Sequence, residues 1–137
     1  ANWQAPEQFF PGGDGYATEA RTDYFALGAL FYYLASAKLL RYSAACGQAW
    51  QLHGREAAAA LLAEGRARPA VLQADEAALF AERLGPAGGA GLALLRRLLA
   101  ERPAERPQHA LEISRLLQDA TRALDTGIHW LNMRSAA

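Results

Sequence analysis

The strongest hydrophobic pattern in the chain lies between Thr22 and Leu40. The run TDYFALGALFYYLASAKLL opens on Thr22 or Asp23, either of which suits a helix N-cap. From Tyr24 to Ser36 it then carries no strongly polar side chain apart from that serine. A helix apolar on every side has no face to give to water. It is also too short to cross a bilayer before Lys38 and Arg41. The pattern therefore predicts a helix buried at the centre of the domain, with other elements packed around it.

Weaker patterns place the rest. REAAAALLAEG predicts a helix over Arg55–Glu64, closed by Gly65 as a C-terminal cap and kept from continuing by Pro69. Asp75 to Leu84 reads as a short helix with acids in its first turn. GPAGGAG, residues 85–91, reads as a flexible connector. Leu94, Leu95, Leu98 and Leu99 then form one stripe of an amphipathic helix over Leu92–Glu101, stopped before Pro103. The last helix is expected to open on Pro107 and to turn Leu111, Ile113, Leu116, Leu117 and Leu124 to one side. Residues 1–21, crowded with Pro6, Pro11, Gly12, Gly13, Asp14 and Gly15, read as loop, and no element is assigned to Arg41–His53. Nothing alternates, and nothing repeats at a period of roughly 20 to 50 residues. The chain reads as all-α.

Its 137 residues suffice for one domain, and a hydrophobic share of 52% argues against wholesale disorder. Fourteen basic side chains balance fourteen acidic ones, so no global field attracts nucleic acid or anionic lipid. Cys46 is the only cysteine, which rules out an internal disulfide and makes a reducing cytoplasm the expected location. No basic-then-apolar leader and no apolar run of about 18 residues is present, so neither a signal peptide nor a membrane segment is expected. His53, His109 and His129 lack the spacing of metal ligands.

Three motifs then fall in order: APEQ at 5–8, TDYFALG at 22–28 and LLRRLLAERPAERP at 94–107. Together they resemble the C-terminal half of a protein kinase large lobe, of the bacterial eukaryotic-like Ser/Thr type, from its Ala-Pro-Glu motif onward. The resemblance implies a helical C-terminal subdomain over residues 1–125, built around the central buried helix, with 126–137 as a tail. It implies a buried ion pair between Glu7 and Arg106, 99 positions apart. It gives Asp23, with Gly28, the role of anchoring a catalytic loop, and sets Leu30 and Leu34 beneath the family's hydrophobic spine. From the residues alone, those two are core leucines. Trp3, Ala5 and Pro6 match the loop facing the substrate.

Phosphoryl transfer in this family also needs a glycine-rich loop, a strand lysine, a catalytic aspartate with its asparagine, and an Asp-Phe-Gly metal ligand. None is in this chain. Lys38 follows the central helix, GPAGGAG lacks the Gly-x-Gly-x-x-Gly spacing, and GGDGY reads as a loop tip. The chain is thus expected to hold no catalytic, cofactor-binding or metal residue of its own, ATP and Mg being implied only for an active parent. That parent would transfer the ATP γ-phosphate to protein Ser/Thr. The implied partners are the upstream kinase lobes and a protein substrate or binding partner. The alternative is a catalytically degenerate, kinase-like binding module.

Overall fold

Helix α2, Ala20–Ser36, is flanked by the shorter α1, Pro6–Phe9, and by α3, Arg41–His53. The chain continues through α4, Ala57–Gly65, α5, Ala74–Leu84, α6, Gly88–Leu98, and α7, Ala110–Ala136. This computed structural model describes residues 3–10, 20–65 and 69–136. Within them the side chains of 64, 65, 127–131, 135 and 136 are left aside. Among the described residues there is no strand, and the chain is all-helical.

α2 packs against α5 and α6, but the burial is one-sided. Thr22, Phe25, Gly28, Ala29, Tyr32 and Ser36 are buried, at the three- and four-residue spacing of a single helical stripe. Leu30, Tyr33 and Leu34 are 40, 43 and 70% exposed. The expectation of a helix covered on all sides is therefore corrected. α2 is apolar all round, but only one of its sides is covered by described residues. Leu30 and Leu34 are not core leucines.

Gly28 explains how closely α2 approaches α6. A Cβ at this position would sit 2.8 Å from the Leu98 Cβ and 3.0 Å from a Leu99 methyl carbon, so only glycine allows the contact. Phe25 meets Tyr42 of α3 edge-on, with ring centroids 6.2 Å apart, and Tyr32 stacks on Phe80 of α5 at 6.4 Å. Phe9, Phe10, Leu40 and Leu95 complete this core, while Leu98 and Ile113 join α6 to α7. Each fully buried aromatic or leucine contributes roughly 1.5–3 kcal/mol.

Several boundaries differ from expectation. α2 is already helical at Ala20, so Thr22 and Asp23 lie inside it and not at its N-cap. α1 interrupts the loop expected over 1–21, while 11–19 fall outside the described residues. α3 occupies the stretch to which the pattern gave no element. α4 opens only at Ala57, behind a 3-10 turn at Gly54–Glu56, and the cap expected at its far end borders residues outside the description. The expected connector at 85–91 is a 3-10 turn, Gly85–Ala87, running directly into α6. Its glycines serve contact: a Cβ at Gly88 would come within 2.4 Å of the Ala81 carbonyl oxygen, and one at Gly91 within 2.3 Å of a Leu84 methyl carbon. α7 starts at Ala110 instead of Pro107 and continues without a break through the expected tail.

Candidate functional site

The site with the densest polar geometry joins the two ends of the domain. Pro6, fixed in φ, opens α1, and the Ala5 backbone N–H donates to Gln8 Oε1 at 3.1 Å. That closed turn presents Glu7 towards the start of α2. From the other end, the segment after α6 turns through a 3-10 step at Pro103–Glu105 and delivers Arg106, which is completely buried.

Arg106 Nη1 and Nη2 donate to Glu7 Oε1 and Oε2 at 2.5 and 2.8 Å, a bidentate pair. Nη1 also donates to the Arg21 carbonyl at 3.1 Å and Nη2 to the Glu101 carbonyl at 3.4 Å. Nε donates to the Ala100 carbonyl at 2.8 Å. All five guanidinium donors thus find acceptors, the condition under which a buried cation is tolerable. The Phe25 ring faces the same guanidinium with its centroid 5.1 Å away, which adds a cation–π contact.

Glu7 is 14% exposed, and its Oε1 also accepts from the Thr22 hydroxyl at 2.9 Å. Burial pushes this carboxyl up. The hydrogen bonds and charge of Arg106, with the Thr22 hydroxyl, outweigh it and hold Glu7 below its ordinary value of 4.5.

A second arginine steadies the segment that carries Arg106. Arg97 Nε donates to the Glu105 carbonyl at 2.9 Å and its Nη2 to Glu112 Oε1 at 2.5 Å. Glu112 Oε2 accepts the Gln108 N–H at 2.9 Å. That backbone bond, and then Arg97, hold the Glu112 carboxyl below its ordinary value.

The other expected site residues are divided between the uncovered side of α2 and buried positions. Asp23 is exposed and has no hydrogen bond or ion pair among the described residues. It stands in helical register with Leu30 and Leu34, so one acid heads an outward apolar stripe. Gly28 faces the opposite way, into α6. Trp3 meets Tyr33 edge-on at 6.1 Å and extends the stripe. Ala5 and Pro6 are buried, so Trp3 alone of that group is open to a ligand.

Sequence reasoning missed Glu76. This buried carboxylate accepts the Gln73 N–H and the Arg41 N–H, both at 3.1 Å, and so closes the N-termini of α5 and α3 together. Arg41 also pairs with Asp75 at the surface. The three-residue step from Gln73 to Glu76, a capping-box spacing, was the legible signal.

Among the described residues no cluster of His, Cys, Asp and Glu could hold a metal ion, and no helix is long and apolar enough to cross a membrane. No family model, curated protein or solved structure matches the chain.

Proposed function

We propose that this chain is the C-terminal portion of the large lobe of a Ser/Thr protein kinase, whose parent transfers the ATP γ-phosphate to protein hydroxyls. The observation that carries the reading is the bidentate pairing of Glu7, within an Ala-Pro-Glu step, with Arg106, which lies 99 positions later. In the family this pair fastens the end of the activation segment to the turn before the last helix. The uncovered stripe of α2 supports the same reading. Asp23 would accept backbone N–H groups of an upstream catalytic loop, and Leu30 and Leu34 would receive the apolar residues beneath the ATP site.

In this reading the chain positions and does no chemistry itself. Arg106 and Glu7 fix the segment bearing Trp3 at the edge of the substrate-side surface, and α2 provides the rigid floor. ATP and Mg would be held by residues upstream.

The coding sequence preceding Ala1 tests this. A strand lysine, a catalytic aspartate with its asparagine, and an Asp-Phe-Gly step should be found there, and the joined protein should phosphorylate a generic Ser/Thr substrate with MgATP. Asp23→Ala in the joined protein should abolish transfer while leaving the helical circular dichroism unchanged. A kinase-like upstream region with those residues substituted would favour the degenerate binding module. An upstream region of unrelated pattern would overturn both.

A further inference from the structure

A cleft of about 380 Å³ opens where α1, the last turn of α3 and the start of α4 meet. That volume lies within the range of small-molecule sites. Neither Glu7 nor Arg106 lines it. Phe9, Ala57 and Ala58, all buried, give the cleft its apolar surface. Trp50 adds an indole that is 46% exposed, so much of that ring is free to be covered by a ligand.

The polar side chains around this surface lack partners. Arg55 is exposed and forms no ion pair among the described residues. Gln8 accepts the Ala5 N–H through its carboxamide oxygen, while its Nε2 finds no acceptor among the described residues. The Trp50 indole N–H finds none there either. In the same wall the Gln4 carboxamide oxygen, sealed from solvent, has no donor among the described residues. No aspartate or glutamate lines the cleft.

An exposed arginine alone is ordinary. Here the cation stands with two further unanswered donors around one apolar hollow that contains no acid. A carboxylate would answer both the charge and the donors. One arginine also balances one carboxylate, whereas a phosphate group, at roughly −1.5 to −2, would exceed it.

We infer that this cleft binds a small amphipathic carboxylate. Its ring or short alkyl body lies on Phe9, Ala57 and Ala58 beside the Trp50 indole, and its carboxylate accepts from Arg55 and Gln8. This is a binding site, with no bond made or broken. The inference does not depend on the kinase reading, because it uses only the cleft and its unanswered donors.

Two-dimensional NMR of the nitrogen-labelled 137-residue chain tests it, at fixed ionic strength. Phenylacetate and hexanoate supply a ring and a short alkyl body. At least one of them should shift the Trp50 indole, Gln8 side-chain amide and Arg55 signals together, on a single saturating curve in the millimolar range. The matching uncharged amide, and acetate, which lacks the apolar body, should each bind at least tenfold more weakly. Arg55→Gln should weaken the carboxylate at least tenfold, and Arg55→Lys should recover most of that loss. Trp50→Ala should weaken it through the lost ring contact. Arg83→Gln, at an exposed arginine outside the cleft, should leave binding unchanged. Circular dichroism checks that each variant keeps its helix content. Shifts that fail to saturate with both probes, an amide that binds as well as its acid, or binding that survives Arg55→Gln would each overturn the inference.

Discussion

Arg106 reaches Glu7 with both terminal nitrogens while Phe25 covers the guanidinium plane. Three parts of the chain, the first helix, the central helix and the turn before the last helix, therefore meet at one charge pair. Removing either partner strands the other charge in a buried site, which costs roughly 3–5 kcal/mol. Glu7→Gln and Arg106→Met should each lower the urea midpoint by a corresponding amount. The double variant should cost less than the sum, because the second change removes the stranded charge. Strict additivity in that cycle would mean that the two groups do not interact in solution.

The same pair sets an acid limit. The Glu7 carboxyl is held below its unfolded value, so its contribution is fully present above about pH 4.5 and is lost as pH falls below that through the folded value. The wild-type urea midpoint should therefore fall more steeply below pH 4.5 than that of Glu7→Gln. Glu112, also depressed, titrates in both proteins and cancels in the comparison. Parallel curves would show that Glu7 has no ion pair in solution.

How much of this was legible depended on whether the signal was local. α5 and the stripe of α6 were readable because Phe80, Leu94, Leu95 and Leu98 recur at helical spacing. α3 was missed although Tyr42, Cys46 and Ala49 have the same spacing, because small residues, Ser43 and Gly47, share its buried side. The burial of α2 was misjudged for another reason. A uniformly apolar helix does not reveal which side its neighbours cover. The Glu7–Arg106 contact has no local trace at all, and only the ordered motifs pointed to it. At Gly88 and Gly91 a glycine-rich run was read as freedom, whereas Gly88 lets two backbones meet and Gly91 makes room for the Leu84 side chain.

Two helical glycines separate propensity from packing. Gly89 in α6 has nothing within 4 Å of an added Cβ, so Gly89→Ala should gain the usual helix preference, about 0.5–1 kcal/mol. Gly28→Ala gains the same preference but forces its Cβ against Leu98 and parts α2 from α6. Overpacking of that kind costs about 1–3 kcal/mol, so the net effect should be destabilising. Thermal unfolding of the two variants should shift in opposite directions. A stabilised Gly28→Ala would show that the two helices are further apart than described.

Ala37 ends α2 in a left-handed conformation, with φ +59°, and its N–H donates to the Tyr33 carbonyl at 2.8 Å. An L side chain there crowds its own backbone by roughly 1–2 kcal/mol, while glycine adopts the conformation freely. Glycine also adds entropy to the unfolded chain, which offsets about 0.5–1 kcal/mol of that relief. Ala37 is exposed, so its methyl group contributes little packing to oppose the exchange. Ala37→Gly should therefore stabilise the domain by about 0.5–1 kcal/mol, the reverse of what the same change does inside a helix. The control is Ala59→Gly, an exposed position within α4 that should lose about 1 kcal/mol. If both changes destabilised equally, Ala37 would be helical in solution and α2 would run on towards Lys38.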